Sequence, residues 1–141
     1  MAHMPTSLLV TRFVFTVFQL LLTLMTYMSM NTNILAAIPI KYTAAQYEAV
    51  QISMYTAISI AVLLLCVEFV GMFTISLLHP AVAVIDIIFH CFGSIFMIIF
   101  IVKELHYLFM WYNIIYSIMI PVLVEFFLFM RICAVQKREF W

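Results

Sequence analysis

Four apolar runs, Leu8–Met28, Val50–Leu78, Ala81–Val102 and Leu108–Met130, dominate the sequence. Each is long enough to cross a bilayer core of about 30 Å as a helix, which takes about 20 mainly apolar residues. With 68% hydrophobic and only 9% charged residues, the 141-residue chain has no segment left over for a soluble catalytic or binding domain. The expected fold is all-α: an integral multi-pass membrane protein whose residues 1–141 form a single domain, four transmembrane helices in an up-down antiparallel bundle. Only the first loop, residues 29–47, has room for structure of its own.

The boundaries carry local signals. Thr43 and Gln46 have the spacing of a capping box, in which each side chain satisfies an amide left open at a helix start. The second helix should therefore begin outside the membrane. His79 and Pro80 break the next run; proline lacks an amide hydrogen and suits the first turn of a helix, so the second and third spans are expected to form a tight hairpin. Residues 103–107, KELHY, join the third and fourth spans as briefly, and Tyr107, Trp111 and Tyr112 suit an interfacial aromatic belt.

Lysines and arginines near span ends resist translocation. Arg12, Arg131, Lys137 and Arg138 fall on the side of the termini and Lys41 and Lys103 on the other, which favours cytoplasmic termini. A cleaved signal peptide ending at Leu35–Ala37 is disfavoured, because the first apolar run is too long and that site lies far beyond it. Cys66, Cys91 and Cys133 lie in spans or at the cytoplasmic edge and imply no disulfide framework. Arg131, Lys137 and Arg138 are candidates for contact with anionic lipid, where each basic residue contributes about 1 kcal/mol.

Within the spans, small and polar residues recur at helical spacing. Arg12, Thr16, Gln19, Thr23 and Thr26 share one stripe of the first span, and Ser53, Ala57, Ala61, Leu64, Glu68 and Gly71 one of the second. Asp86, His90, Gly93 and Ser94 follow in the third, and Asn113, Ser117, Pro121 and Glu125 in the fourth. Helices in lipid associate through close packing at small residues and through hydrogen bonds, so the four seams should face one another. At about 1.5 Å per residue, Glu68, Asp86 and Glu125 lie roughly 7 to 11 Å inside, Arg12 is shallower and His90 about a turn deeper than Asp86.

An ionised side chain at the bilayer centre costs about 2.5–3.5 kcal/mol on insertion scales. Arg12 is the natural counterion for these acids, and Asp86 is positioned to bond His90 one turn away. Arg12, Gln19, Glu68, Asp86, His90 and Glu125 are thus the candidate intramembrane packing residues. The same layer could serve a small proton or cation transporter, although no internal repeat or interrupted span accompanies it. His90 is the one deep histidine and no GxSxG or HExxH motif occurs, so no enzyme, metal or other cofactor is expected.

Beyond chemistry lies a resemblance. Residues 32–52, TNILAAIPIKYTAAQYEAVQI, followed by VEFVGMF, HCFGS, WY and PVLVEFFLF, are similar to the transmembrane protein 107 family. The likeness runs from TRF at Thr11–Phe13 to the basic tail QKREF, and Glu68, His90 and Glu125 fit the family pattern while Asp86 departs from it. The resemblance implies a non-enzymatic tetraspan component of the ciliary transition zone, in the Meckel-syndrome module with tectonic and B9-domain proteins. On that reading Asn33, Ile34, Pro39, Tyr42, Thr43 and Tyr47 of the first loop are candidates for partner binding. The lipid bilayer and other module proteins are the expected partners, with a second copy of the chain a further candidate; nucleic acid and a small-molecule substrate are not expected.

Overall fold

The structure, a computed structural model, describes residues 6–74 and 80–139, and side chains over 6–73 and 80–135. The helices are α1 (Thr6–Met28), α2 (Met30–Leu35), α3 (Ala44–Thr74), α4 (Pro80–Val102) and α5 (Leu108–Asn113), then a π-helical segment (Ile114–Met119) and α6 (Ile120–Glu139). There is no strand among the described residues. Four helices are long and apolar enough to cross a membrane: α1, α3, α4 and the continuous fourth span made of α5, the π segment and α6.

The second span begins at Ala44, ahead of the apolar run that starts at Val50, because the capping box forms. The Thr43 amide donates to Gln46 Oε1 at 3.0 Å, and the Gln46 amide donates to Thr43 Oγ1 at 3.3 Å. Pro80 is the first residue of α4. His79 and the end of the expected second span lie outside the described residues, as do Phe140 and Trp141. The fourth span continues as helix past Met130 to Glu139, with Arg131 exposed. The side chains of Lys137 and Arg138 lie outside those described.

The fourth span is continuous but not regular α-helix throughout, since Ile114–Met119 is π-helical. Four of its buried positions, Asn113, Ser117, Pro121 and Glu125, are spaced four residues apart. In an α-helix each such step overshoots a full turn by about 40°, so the seam would rotate out of the interior. The wider π turn takes up that overshoot, and it ends beside Pro121, which cannot donate an amide to the ladder.

Inside the first loop α2 folds back onto the bundle. Asn33 and Ile34 are fully buried, and the Asn33 side-chain amide donates to the carbonyls of Phe100 at 3.2 Å and Leu105 at 2.9 Å. These carbonyls close the end of α4. There the Leu105 amide reaches back to the Phe100 carbonyl at 3.3 Å and Glu104 adopts a left-handed φ of 49°. That is a Schellman-type termination with glutamate in the place where glycine is usual, so Asn33 helps hold a strained backbone.

Packing differs from a sequential hairpin arrangement. α1 packs most extensively on α4 and also on α3, and the fourth span packs on both α3 and α4. Among the described residues the backbones of α3 and α4 approach each other little, so these consecutive spans stand diagonally across the bundle instead of forming the expected tight hairpin. A short connection does not prevent this. Neighbouring helices pack about 8–10 Å apart, giving a diagonal of about 11–14 Å, while the chain from Thr74 to Pro80 can reach about 20 Å. Toward α2 the interior is apolar, built from residues such as Ile34, Met54, Leu65, Met97, Phe100 and Met110. Toward the termini it is polar.

Candidate functional site

Arg12, Gln19, Glu68, Asp86, His90 and Glu125 are buried together. The stripe Arg12, Thr16, Gln19, Thr23 and Thr26 comprises the buried residues of α1. Its threonines spend their hydroxyls locally, each donating to the carbonyl four residues back: Thr16 to Arg12, Thr23 to Gln19 and Thr26 to Leu22. Arg12 and Gln19 are thereby the members of the stripe that reach other helices.

Arg12 Nη2 lies 2.5 Å from Glu125 Oε1, 2.9 Å from Asp86 Oδ2 and 3.8 Å from Glu68 Oε1. One guanidinium on α1 thus draws in an acid from each of α6, α4 and α3. Gln19 begins a second set of bonds. His90 Nδ1 meets Gln19 Oε1 at 2.6 Å, and His90 Nε2 meets Glu68 Oε1 at 2.6 Å. Gln19 Nε2 donates to Ser117 Oγ at 2.6 Å, and the Ser117 hydroxyl donates to the Asn113 carbonyl at 2.8 Å.

Donor and acceptor chemistry orders this chain. An amide oxygen only accepts, so His90 carries its proton on Nδ1 and faces Glu68 through Nε2. Both ring nitrogens are therefore occupied, and the expected Asp86–His90 pair does not form. Asp86 turns to Arg12 instead. At its other end the chain stops at a non-titratable glutamine amide and a backbone carbonyl.

The two glycines of the chain make room for these groups. A Cβ at Gly71 would collide with the Glu125 carboxylate, and one at Gly93 would collide with the Ser117 side chain and come within 2.8 Å of Gln19 Nε2. Sequence reasoning grouped Ser117 and Asn113 with the seam of the fourth span but not with the candidate site. Their spacing of four was the available signal; their link to Gln19 depends on another helix. The layer joins both diagonal pairs of the bundle, α3 to α4 by Glu68–His90 and α1 to the fourth span by Arg12–Glu125 and Gln19–Ser117, as well as the adjacent pair α1 and α4 by Arg12–Asp86 and Gln19–His90.

Among the described residues there is no group of three or more histidine, cysteine, aspartate or glutamate side chains placed to hold a metal ion. The first-loop candidates separate. Asn33 and Ile34 are buried in the bundle, whereas Pro39, Tyr42 and Thr43 are exposed and Tyr47 is half-buried. The Tyr47 hydroxyl donates to Asn31 Oδ1 at 2.9 Å, which ties the start of α3 to α2.

The sequence profile of the TMEM107 family, whose description is "Transmembrane protein", matches residues 8–129. The chain belongs to the TMEM107 family. It is 25% identical over 135 residues to human Transmembrane protein 107, covering 95% of this chain and 96% of the relative. The rat and mouse proteins of that name are each 24% identical over the same coverage. No solved structure matches it. The TMEM107 match reaches into all four apolar spans and takes in the whole polar layer, from Arg12 to Glu125.

Proposed function

We propose that this chain is a non-enzymatic membrane scaffold of the ciliary transition zone. It recruits or retains module proteins of the tectonic and B9-domain types and contributes to the ciliary membrane diffusion barrier and to cilium assembly. The observation that carries the reading is the family likeness across nearly the whole chain. The polar layer is consistent with it, since Arg12, Gln19, Glu68, His90 and Glu125 each join one helix to another.

Both termini face the cytoplasm in this proposal. The basic end of α6 then meets the anionic cytoplasmic leaflet, and the first loop faces the opposite side. Partner contact falls to the exposed part of that loop, where Pro39, fully exposed Ile40 and Tyr42 present apolar surface to water. Imaging a fluorescent fusion in ciliated cells tests the reading. Concentration at the transition zone is expected, with loss of partners from that zone when the chain is removed. Residence in another compartment would sink it. So would a normal transition zone after removal with parallel gate modules disabled.

A further inference from the structure

Between α4 and the fourth span lies a groove of about 480 Å³ that opens toward the lipid. Phe89, Phe92 and Phe96 form one wall; Phe109, Tyr112 and Tyr116 form the other. Phe92 and Tyr116 are 67% and 63% exposed, so the groove is accessible from the side. Its floor is Gly93, whose missing side chain lets α4 close onto Ser117. The rings of Phe96 and Phe109 stack at 6.1 Å across one end.

Asn113 also lines this groove. It is only 5% exposed, its Oδ1 accepts from the Ser117 hydroxyl at 3.2 Å, and its Nδ2 donor has no hydrogen-bond partner. A buried donor left unmatched is costly, and the deficit is larger in lipid, where water does not supply the missing acceptor. An unmatched donor thus sits beside a groove lined by aromatic rings.

We propose that the groove binds a membrane sterol, with its hydroxyl oxygen accepting from Asn113 Nδ2 and its ring body lying between the aromatic walls. A cleft of this volume, lined by aromatic side chains and carrying a single polar anchor, is of the kind that takes a small apolar ligand. A rigid ring body gives up little conformational freedom on binding, whereas a flexible acyl chain gives up torsional freedom along its length. No lysine or arginine lines the groove, so it offers nothing to a phospholipid phosphate. The assignment is independent of where in the cell the protein resides.

The full chain in phosphatidylcholine vesicles, irradiated with a diazirine-bearing cholesterol analogue that retains the hydroxyl, provides the test. Saturable labelling within residues 89–96 or 109–116 is expected, displaced by cholesterol but poorly by hydroxyl-free cholestane. Asn113→Leu should weaken labelling by about two- to tenfold, the worth of one hydrogen bond. That variant keeps the backbone carbonyl that Ser117 uses. Phe92→Ala, at an exposed position, should weaken labelling as well and decides the matter if Asn113→Leu does not fold. Labelling that does not saturate or maps elsewhere overturns the proposal. Equal capture of photoactivatable phosphatidylcholine, equal displacement by cholestane, or unchanged labelling in every folded variant does the same.

Discussion

A guanidinium presents its donors in a rigid plane and does not lose its charge, which suits Arg12 to gather carboxylates from three other helices. Arg12→Leu leaves those acids buried without their cation. A loss of about 3–5 kcal/mol is expected, as for other buried pairs broken from one side, measured by denaturant unfolding in detergent. Glu68 makes a gentler probe. Glu68→Gln keeps a hydrogen bond to His90 and should stay within about 1 kcal/mol of the parent, whereas Glu68→Leu strands the ring nitrogen at about 1–3 kcal/mol. The same pair of variants distinguishes adhesion from transport: proton or cation flux in liposomes that Glu68→Gln abolishes without unfolding would make the layer a conduction path. Gly93→Ala should destabilise by about 1–3 kcal/mol, because the added methyl collides with Ser117 and presses on Gln19. Equal thermal stability of this variant and the parent would contradict the close approach at that crossing.

At the scale of elements, each device that ends or bends a helix is tied to one of the interhelical contacts. The Thr43–Gln46 box starts α3 in the first loop, clear of the apolar run, where Tyr47 reaches back to Asn31. Thr43→Ala removes one side of that box. It should cost about 0.5–2 kcal/mol of local helix stability, seen as faster hydrogen exchange at the amides of Gln46 and Tyr47 while the amides of the bundle interior stay protected. Asn33 performs a similar service at the end of α4, with the difference that it acts from a separate element, α2. In the fourth span the π segment keeps Asn113, Ser117, Pro121 and Glu125 facing inward, so the same irregularity supplies the bond to Gln19 and brings Asn113 and Ser117 to the aromatic groove.

For the whole molecule, the diagonal placement of α3 and α4 explains why the polar side chains are long. Adjacent helices can be joined by small residues, as Gly93 and Ser117 are; opposite helices need side chains that cross the interior, such as Arg12, Glu68 and Glu125. Such a layer fixes how four helices are rotated about their axes, which non-directional packing in lipid specifies less strictly. Orientation in the membrane is a separate property, set by charge at the span ends. Tags placed at Met1 and after Trp141 should show the same protease accessibility in sealed vesicles, both on the cytoplasmic side. Opposite accessibility would rule out an even number of spans.

Length and hydropathy alone specified the spans, because the thickness of hydrocarbon is common to all bilayers and each helix must satisfy its own backbone. Local spacing was equally informative. The threes and fours from Arg12 to Thr26 mark one face of a helix, and Thr43 with Gln46 marks a helix start, since both depend on geometry within a few residues. Partner choice was not available at that range. Whether His90 bonds Asp86 on its own helix or Glu68 and Gln19 on two others depends on the rotation and axial stagger of separate helices. The same holds for Asn33, a loop asparagine in sequence and a brace for α4 in the fold, and for the diagonal pairing of α3 with α4. These contacts join residues far apart in the chain, and only the assembled bundle brings their side chains within hydrogen-bonding distance.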